Sequence, residues 1–492
     1  VRRLAVLARR LGTPIEDGEL WDVVVEVTAR LPVYRTYARG GGLDATTRRR
    51  ISQAVRTAWD HLPEGCRPAL AFARRVLLLD LPKDAPTGAR SAWAAVLRRW
   101  QLLMGPAAAK GVEDTALYRD VRLVSRNEVG GDPGVAPIGV EEFHRRVRSM
   151  REGPWPLVAT TTHDTKRSED VRARIAVLSE LPEEWERRVR RWSRANGELR
   201  RSIHGGAVPS PDEELFLYQT LVGAWPLGEA GDLEERIRAY VVKAAREARL
   251  RTSWLDPDAS YEALLEGFVH DALTSDRFRH DLEGFVRIVA YHGALNSLAQ
   301  VVLKAFLPGA TDVYQGTETW RLDLVDPDNR RPVDFGALTR MLEELDGSVV
   351  DPERLLAEWP DGRIKLFVTA SALRLRRERP VPFVAGSYLP LAARGPKADH
   401  VIALVRRSRR QWVMAVVPRL TLRLAGSLEA PLGPIWGRTA LALPAGAPAR
   451  WRDVLTGAIV TAHGSEGGAV LALRTVLERL PVAMLVREDA AP

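Results

Sequence analysis

A polar cluster, His163-Asp164-Thr165-Lys166, directly follows a short apolar and β-branched run at residues 156–162. The run predicts a β-strand, so the cluster lies at the carboxyl end of that strand. A carboxylate and an imidazole placed there can both hydrogen-bond sugar hydroxyls, and Lys166 adds a further donor. A strand that ends in such a cluster is typical of the catalytic face of a (β/α) barrel. For His163 and Asp164 taken alone, a buried structural pair is the simpler alternative.

The elements that must position this cluster are mostly helical. Apolar residues recur at helical spacing through residues 1–105. One predicted helix carries on a single face Trp93, Val96, Leu97 and Trp100. Residues 170–305 are predicted to be helical throughout, with a capping box at residues 210–213. A second strand and turn are predicted at residues 310–316.

Beyond about residue 383, short apolar strands spaced by Gly and Pro replace the helical pattern, which indicates a terminal all-β domain. Strands are expected at residues 401–405, 412–417, 420–424, 440–443, 469–473 and 482–486. The chain therefore divides into four predicted segments. These are a helical insertion with substrate-site loops (1–150), barrel strands with a second helical insertion (151–345), a helical connector (346–382) and the β domain (383–492).

Composition excludes several classes of protein. The 492 residues are 46% hydrophobic and 27% charged, which is typical of a globular protein. The net charge of +9 comes from arginines mixed with acidic residues, without a basic arm, so we expect no nucleic-acid partner. No apolar run is long enough to span a bilayer, and we expect no membrane partner. A single cysteine, Cys66, excludes a disulfide framework and a Cys-rich metal site and fits the reducing cytoplasm.

Six motifs that follow one another in a fixed order carry a resemblance to a known family. The string Thr-Thr-His-Asp-Thr-Lys-Arg-Ser-Glu-Asp-Val-Arg-Ala-Arg at residues 161–174 resembles the fourth signature region of the maltooligosyltrehalose synthases, a branch of the α-amylase family. The other five stretches that agree are residues 32–37, 109–115, 127–133, 312–318 and 324–334. The resemblance spans nearly the whole chain and is weakest in the predicted β domain.

The resemblance implies a (β/α)8 barrel with large helical insertions and a C-terminal β domain, of which this chain holds the later strands. It also implies an isomerase of trehalose biosynthesis, which converts the reducing-end α-1,4 linkage of a maltooligosaccharide into an α,α-1,1 linkage by intramolecular transglucosylation. The implied partner is an α-glucan, and no cofactor or metal is implied. A functional link to a hydrolase that cleaves maltooligosyltrehalose is also expected.

The resemblance assigns roles to five residues. Asp164 is expected to stabilise the transition state through the hydroxyls of the transferred sugar, and His163 to hydrogen-bond the same ring. Lys110 and Glu113 match positions that hold the terminal glucose in the acceptor subsite, and Lys166 is expected beside that site. For Glu113, an ion pair with Lys110 or Arg119 that does nothing more is the alternative.

Two further carboxylates that such a reaction needs are missing from the expected positions. A retaining glycosidase-type reaction uses a nucleophile and a general acid ~5–5.5 Å apart. In the family they lie on earlier strands, in an Arg-x-Asp context and at a Glu-bearing strand end, and neither motif precedes residue 156. Arg321-Leu322-Asp323 comes too late in the chain, and a surface ion pair is expected there. We therefore expect that the chain is truncated, and that alone it is inactive and prone to aggregate.

Two other functions remain open from the sequence. One is an α-glucan hydrolase or glucanotransferase of the same superfamily. The other is a non-catalytic glucan-binding chain that uses the β domain as its binding module. The fourteen tryptophans make stacking on sugars possible, but Trp185 and Trp192 have the spacing of a core helix.

Overall fold

The computed structural model describes residues 1–10, 13–38, 42–82, 85, 87–150, 155–229, 231–426, 428–465 and 468–488. The chain divides into two compact units, Val1–Leu117 and Tyr118–Pro492. Each unit buries its own apolar residues. No helix among the described residues is long and apolar enough to cross a membrane.

The described part of the N-terminal unit is helical. Its helices are α1 (Arg2–Arg10), α2 (Asp17–Ala29), α3 (Ala45–Trp59), α4 (Arg67–Leu78) and α5 (Ala89–Ala108). A π-helical segment, Ala109–Ala116, directly continues α5. The residues predicted to share one face of α5 are all buried, which confirms that prediction. Cys66 is buried as a free thiol.

The C-terminal unit begins with an extensive set of helices. These are α6 (Leu117–Arg119, which overlaps the division by one residue), α7 (Val140–Ser149), α8 (Glu169–Val177), α9 (Pro182–Ala195), α10 (Pro211–Ala224), α11 (Leu233–Ala248), α12 (Ala259–Thr274), α13 (Asp276–Phe306), α14 (Phe335–Asp346), α15 (Pro352–Ala357), α16 (Arg363–Glu378) and α17 (Pro380–Val384). The predicted capping box of α10 is confirmed. The Ser210 hydroxyl accepts the Glu213 N–H at 3.4 Å, and the Glu213 carboxylate accepts the Ser210 N–H at 2.7 Å.

The predicted polar cluster at residues 163–166 follows the first of two short paired strands. Strand β1 (Leu157–Val158) pairs in parallel with β4 (Ala310–Thr311), with Leu157 opposite Ala310. Because the strands are parallel, the chain leaves both at the same edge of this small sheet. The two predicted strands at these places are thus confirmed, although each is only two residues long. The barrel to which they were assigned stays a prediction.

Helix α8, which follows the polar cluster, packs unusually close to two neighbours. A Cβ on Gly223 of α10 would lie 2.8 Å from the Val171 side chain, and one on Gly293 of α13 would lie 2.8 Å from the Arg174 Cα. A Cβ at position 223 would displace side chains of α8, and a Cβ at position 293 would also displace its backbone. These two glycines therefore set how deeply α8 lies between α10 and α13.

One stretch expected to be helical is a hairpin instead. Strands β2 (Arg201–Ile203) and β3 (Gly206–Val208) pair antiparallel across His204 and Gly205. Both turn residues have positive φ, 50° and 75°. This is the conformation that a two-residue hairpin turn requires, and His-Gly is a weak signal for it beside the helical pattern on either side.

The last hundred residues form two antiparallel sheets. The six-stranded sheet has the order β11-β10-β14-β8-β7-β5, and the four-stranded sheet has the order β12-β13-β9-β6. The strands are β5 (Ser387–Leu391), β6 (Ala393–Arg394), β7 (Val401–Ser408), β8 (Gln411–Pro418), β9 (Ala440–Ala442), β10 (Arg450–Asp453), β11 (Ile459–Thr461), β12 (His463–Ser465), β13 (Gly468–Ala472) and β14 (Ala483–Arg487). Five of the six predicted strands are therefore present. Val413, Ala415 and Val417 of β8 pack in the core shared with α13 and α16, whereas the alternate residues of β8 face the second core.

The sixth predicted strand, at residues 420–424, is wrong. This stretch is the short helix α18 (Thr421–Ala425), and α19 (Leu473–Val476) is a second helix in the same region. The Glu180 carboxylate accepts the Arg423 N–H at 3.1 Å, which satisfies a backbone donor at the start of α18. A long-range contact thus overrides the local strand pattern.

Candidate functional site

The predicted polar cluster forms a tight turn between β1 and α8. The Thr165 hydroxyl donates to the Thr162 carbonyl at 2.9 Å, and the Asp164 N–H donates to the Thr162 hydroxyl at 3.2 Å. These bonds place His163 and Asp164 at the corner of the turn, where both are exposed. Every residue from 165 to 171 is buried. The two side chains therefore face outward from an otherwise enclosed segment.

Two side chains from distant parts of the chain hold the backbone of this turn. The Asn329 amide donates to the His163 carbonyl at 3.0 Å. On the other side, the Glu128 carboxylate accepts the N–H of Lys166 at 2.7 Å and that of Arg167 at 3.3 Å. Asn329 and Glu128 are buried, with exposed fractions of 1% and 8%. Buried hydrogen bonds of this kind are costly to break because the freed groups have no water to replace them.

Lys166 differs from His163 and Asp164 because it is buried, with 3% of its surface exposed. Its Nζ lies 5.7 Å from the centroid of the Tyr118 ring, within the range of a cation–π contact. The arrangement leaves little of Lys166 accessible in the described structure. Its expected role as a donor to a sugar stays a prediction.

Directly after the turn, the first residues of α8 enter a buried ionic cluster. Lys365 Nζ lies 2.8 Å from a carboxylate oxygen of Glu169 and 2.8 Å from one of Asp170. Lys304 Nζ lies 3.6 Å from the Glu169 carboxylate and 2.9 Å from the Thr160 hydroxyl. The four ionic side chains are at most 5% exposed. The cluster thus joins the start of α8 to α13 and α16.

The charges in this cluster compensate each other. Burial raises the pKa of Glu169, but the ammonium groups of Lys365 and Lys304 outweigh it and bring the pKa to about 2. Burial lowers the pKa of Lys365, yet Asp170 and Glu169 reverse this and raise it above its usual value. Burial lowers the pKa of Lys304. The geometry therefore favours an ionised Glu169 paired with a charged Lys365, which is how buried charges are tolerated.

The pair expected at residues 321–323 is present, but it is not on the surface. The Arg321 guanidinium bonds the Asp323 carboxylate, and Asp323 is only 1% exposed. Its burial raises the pKa of Asp323. The Asp323 carbonyl also accepts the Ser168 N–H at 2.9 Å. Asp323 therefore packs beneath the candidate turn, and the expected surface pair is corrected to a buried one.

The two residues expected in an acceptor subsite belong to the N-terminal unit. Lys110 and Glu113 lie on the π-helical segment, and π-helical turns are frequent at functional sites. Lys110 Nζ lies 2.5 Å from the Asp114 carboxylate, with 68% of the Lys110 side chain exposed. Glu113 is buried, with 8% exposed. The structure thus places these two residues on one segment, and His163, Asp164 and Lys166 on another.

Among the residues that the structure describes, no group of three or more His, Cys, Asp or Glu side chains is placed to hold a metal ion. What the turn offers is an exposed carboxylate and an exposed imidazole on a fixed backbone. Such groups can accept and donate hydrogen bonds to a polyhydroxylated ligand.

Comparison with known proteins identifies the relatives of this chain. It is 40% identical over 422 residues to a Mycobacterium tuberculosis protein named "Putative maltooligosyl trehalose synthase", an alignment that covers 83% of this chain and 48% of that protein. The chain is a homologue of the maltooligosyltrehalose synthases. No protein-family model matches it.

Solved structures support the same relationship. The maltooligosyltrehalose synthase from Arthrobacter ramosus superposes with a TM-score of 0.78 at 37% identity, over 99% of this chain and 56% of that one. A second solved structure, described as a maltooligosyl trehalose synthase, has a TM-score of 0.72 at 29% identity, over 99% of this chain and 55% of the other. The mixed helix-and-sheet fold described above is thus that of maltooligosyltrehalose synthase structures. The chain spans about half the length of the relatives it matches.

Sequence reasoning missed the residues that hold the turn and assigned no role to them. Glu128, Tyr314 and Asn329 lie in three of the motifs that carry the resemblance to maltooligosyltrehalose synthases. Glu128 and Asn329 bond the turn directly, and the Tyr314 hydroxyl donates to the Asn329 carbonyl at 3.3 Å. Membership of a shared motif was thus the only signal in the sequence that could have pointed to them.

Proposed function

We propose that this chain supplies the His163–Asp164 part of an isomerase site. The isomerase converts the reducing-end α-1,4 linkage of a maltooligosaccharide into the α,α-1,1 linkage of a maltooligosyltrehalose. Homology to proteins named for that product supports the reaction class. The nucleophile and the general acid are assigned to no residue of this chain, and we expect the chain alone to be inactive.

In this reaction one glycosidic bond is exchanged for another. A carboxylate attacks C1 of the penultimate glucose while an acid protonates O4 of the terminal glucose, which leaves. The terminal glucose turns, and its anomeric hydroxyl oxygen attacks the same C1. The hydroxyl proton returns to the acid and the carboxylate departs, so that no water is consumed. Asp164 acts by accepting hydrogen bonds from the hydroxyls of the distorted sugar ring, and His163 bonds the same ring.

One observation supports this role above the others. Asp164 and His163 are exposed at the carboxyl end of β1, while residues 165–171 immediately after them are buried. A structural pair would be expected inside a packed core with partners of its own. An exposed carboxylate on a backbone held by several hydrogen bonds is instead arranged to meet a ligand with little reorganisation.

The terminal glucose must stay in the site until it reacts a second time. Lys110 and Glu113 are proposed to hold it. Retention gives the sugar hydroxyl a high effective concentration, which favours its attack over that of water. The ratio of isomerised product to free glucose therefore measures how well this subsite works.

The experiment that tests the function uses a chimera. In it, this chain replaces the aligned segment of the Mycobacterium tuberculosis relative, and maltopentaose is the substrate. The proposal predicts that reducing ends disappear as a non-reducing product of the same mass appears. A hydrolase would instead increase the number of reducing ends, and a non-catalytic chain would leave the sugar unchanged. Either of those results contradicts the proposal.

A further inference from the structure

We propose that Glu128 and Asn329 are positioning residues that fix the direction of the Asp164 carboxylate by holding the turn at both of its ends. This inference rests on the proposed function, because it concerns how accurately Asp164 meets the sugar. Neither residue lies on the turn. Each reaches it from a motif that had no assigned role, at sequence separations of 38 and 166 residues.

The Glu128 carboxylate is fully used as an acceptor of backbone donors. One of its oxygens accepts the N–H of Val129 at 2.8 Å and that of Lys166 at 2.7 Å. Its other oxygen accepts the Arg167 N–H at 3.3 Å and lies 3.5 Å from Arg172 Nε. A glutamine has the same shape but only one acceptor oxygen. Its NH2 group must therefore face a backbone N–H in either orientation, and at least one of these bonds is lost.

Asn329 acts on the opposite end of the turn and is itself fixed. Its side-chain amide donates to the His163 carbonyl, and its backbone carbonyl accepts from the Tyr314 hydroxyl. The preceding residue, Asp328, accepts the Leu324 N–H at 2.7 Å and is bonded by Arg236 at 2.8 Å. An aspartate at position 329 would place an acceptor against the His163 carbonyl, which also accepts, so the bond would become a repulsion.

The two contacts bracket Asp164. Asp164 and Thr165 lie between the His163 carbonyl, held by Asn329, and the Lys166 amide, held by Glu128. With both ends held, the Asp164 side chain can vary mainly through its own two torsions. If either hydrogen bond were lost, the backbone of the turn could move and displace the Asp164 carboxylate. Small displacements of a catalytic group lower the reaction rate strongly.

The test begins with hydrogen exchange in the chimera that carries this chain and in its variants Glu128→Gln and Asn329→Asp. Losing one buried hydrogen bond should accelerate amide exchange in residues 162–168 by about tenfold or more. Glu283→Gln, at an exposed position of α13, is the matched control and should change nothing there. Unchanged exchange in both variants would show that the two side chains do not hold the turn.

The second measurement separates positioning from a merely structural role. In the chimera, both variants should lower kcat for isomerisation by about tenfold or more, while KM for maltopentaose changes by less than about threefold. Faster exchange with an unchanged kcat would overturn the positioning role. A parent chimera that makes no non-reducing product would overturn the proposed function, and the positioning role with it. The exchange data would still show whether the turn is held.

Discussion

Lys365 Nζ lies 2.8 Å from the carboxylate of Asp170, and the two side chains are 0% and 4% exposed. The pair joins α16 to the first turn of α8, immediately after the turn that carries Asp164. The Asp170 carboxylate also accepts the Arg321 N–H at 2.7 Å. These two contacts of Asp170 therefore join the start of α8 to α16 and to the segment at Arg321.

Removing the Lys365 charge should strongly destabilise the C-terminal unit. Lys365→Met leaves Glu169 and Asp170 buried without their main cation, which costs about 3–5 kcal/mol in comparable buried pairs. The free energy of unfolding, measured with urea, should fall by that amount. Lys397→Met, at a half-exposed position, should change it by less than about 0.5 kcal/mol. Equal effects of the two substitutions would show that the cluster is not a structural anchor.

The close approach of α8 to α13 predicts opposite effects of the same substitution at two positions of one helix. Gly284→Ala meets nothing within 4 Å and should stabilise α13 by about 0.5–1 kcal/mol. Gly293→Ala places its Cβ 2.8 Å from the Arg174 Cα and should destabilise the protein by about 1–3 kcal/mol. Urea midpoints measure both. Stabilisation by both substitutions would contradict the packing described for α8.

A buried carboxyl in the sheet region predicts a pH dependence. Burial raises the pKa of Asp453 to about 6, against 3.8 in the unfolded chain. The protonated form is favoured in the folded protein, so this contribution to stability is complete below pH 3.8 and is lost as pH rises through 6. Asp453→Asn removes the titration. The stability of the variant relative to the parent should therefore rise by about 2.5 kcal/mol between pH 3.8 and pH 7. A difference that does not vary with pH would contradict the raised pKa.

The proposed acceptor subsite predicts a change in product ratio. In the chimera, Lys110→Ala or Glu113→Ala should release more free glucose for each molecule of isomerised product, because the terminal glucose escapes before its second reaction. Glucose and non-reducing product are quantified from the same reaction. Lys397→Ala is the control and should leave the ratio unchanged. If the ratio also stays unchanged in the first two variants, these residues do not hold the sugar.

The sequence predicted local features well and long-range contacts poorly. The buried face of α5, the capping box of α10 and five strands near the C-terminus follow from periodicity and short-range hydrogen bonds, and all are present. The hairpin at residues 201–208 was not predicted because its two-residue turn has only a weak sequence signal. Helix α18 was not predicted because it is stabilised by a carboxylate that is distant in the sequence. The role of Asn329 depends on a contact with a residue 166 positions away, for which the local pattern carries no signal.

The candidate site, too, could be predicted from the sequence only where it depends on local features. The type and spacing of His163 and Asp164 were enough to predict a polar turn at the end of a strand, and their exposure agrees with a ligand-facing position. Burial of Lys166 and Asp323 could not be predicted, because it depends on how Tyr118 and Arg321 pack around them. Charged residues in a motif look alike in a sequence whether they face a ligand or a core.

The most direct test of the central claim is the rate at which the chimera converts maltopentaose into a non-reducing product, with Asp164 intact and with Asp164→Asn. Asparagine keeps the shape but removes the negative charge that the sugar hydroxyls would bond. We predict that the rate falls by about a hundredfold or more, as it does when a transition-state hydrogen-bond partner is lost. Asp256→Asn, at an exposed position of the same unit, should leave the rate unchanged. An Asp164→Asn chimera that keeps its activity within about twofold of the parent would contradict the assignment.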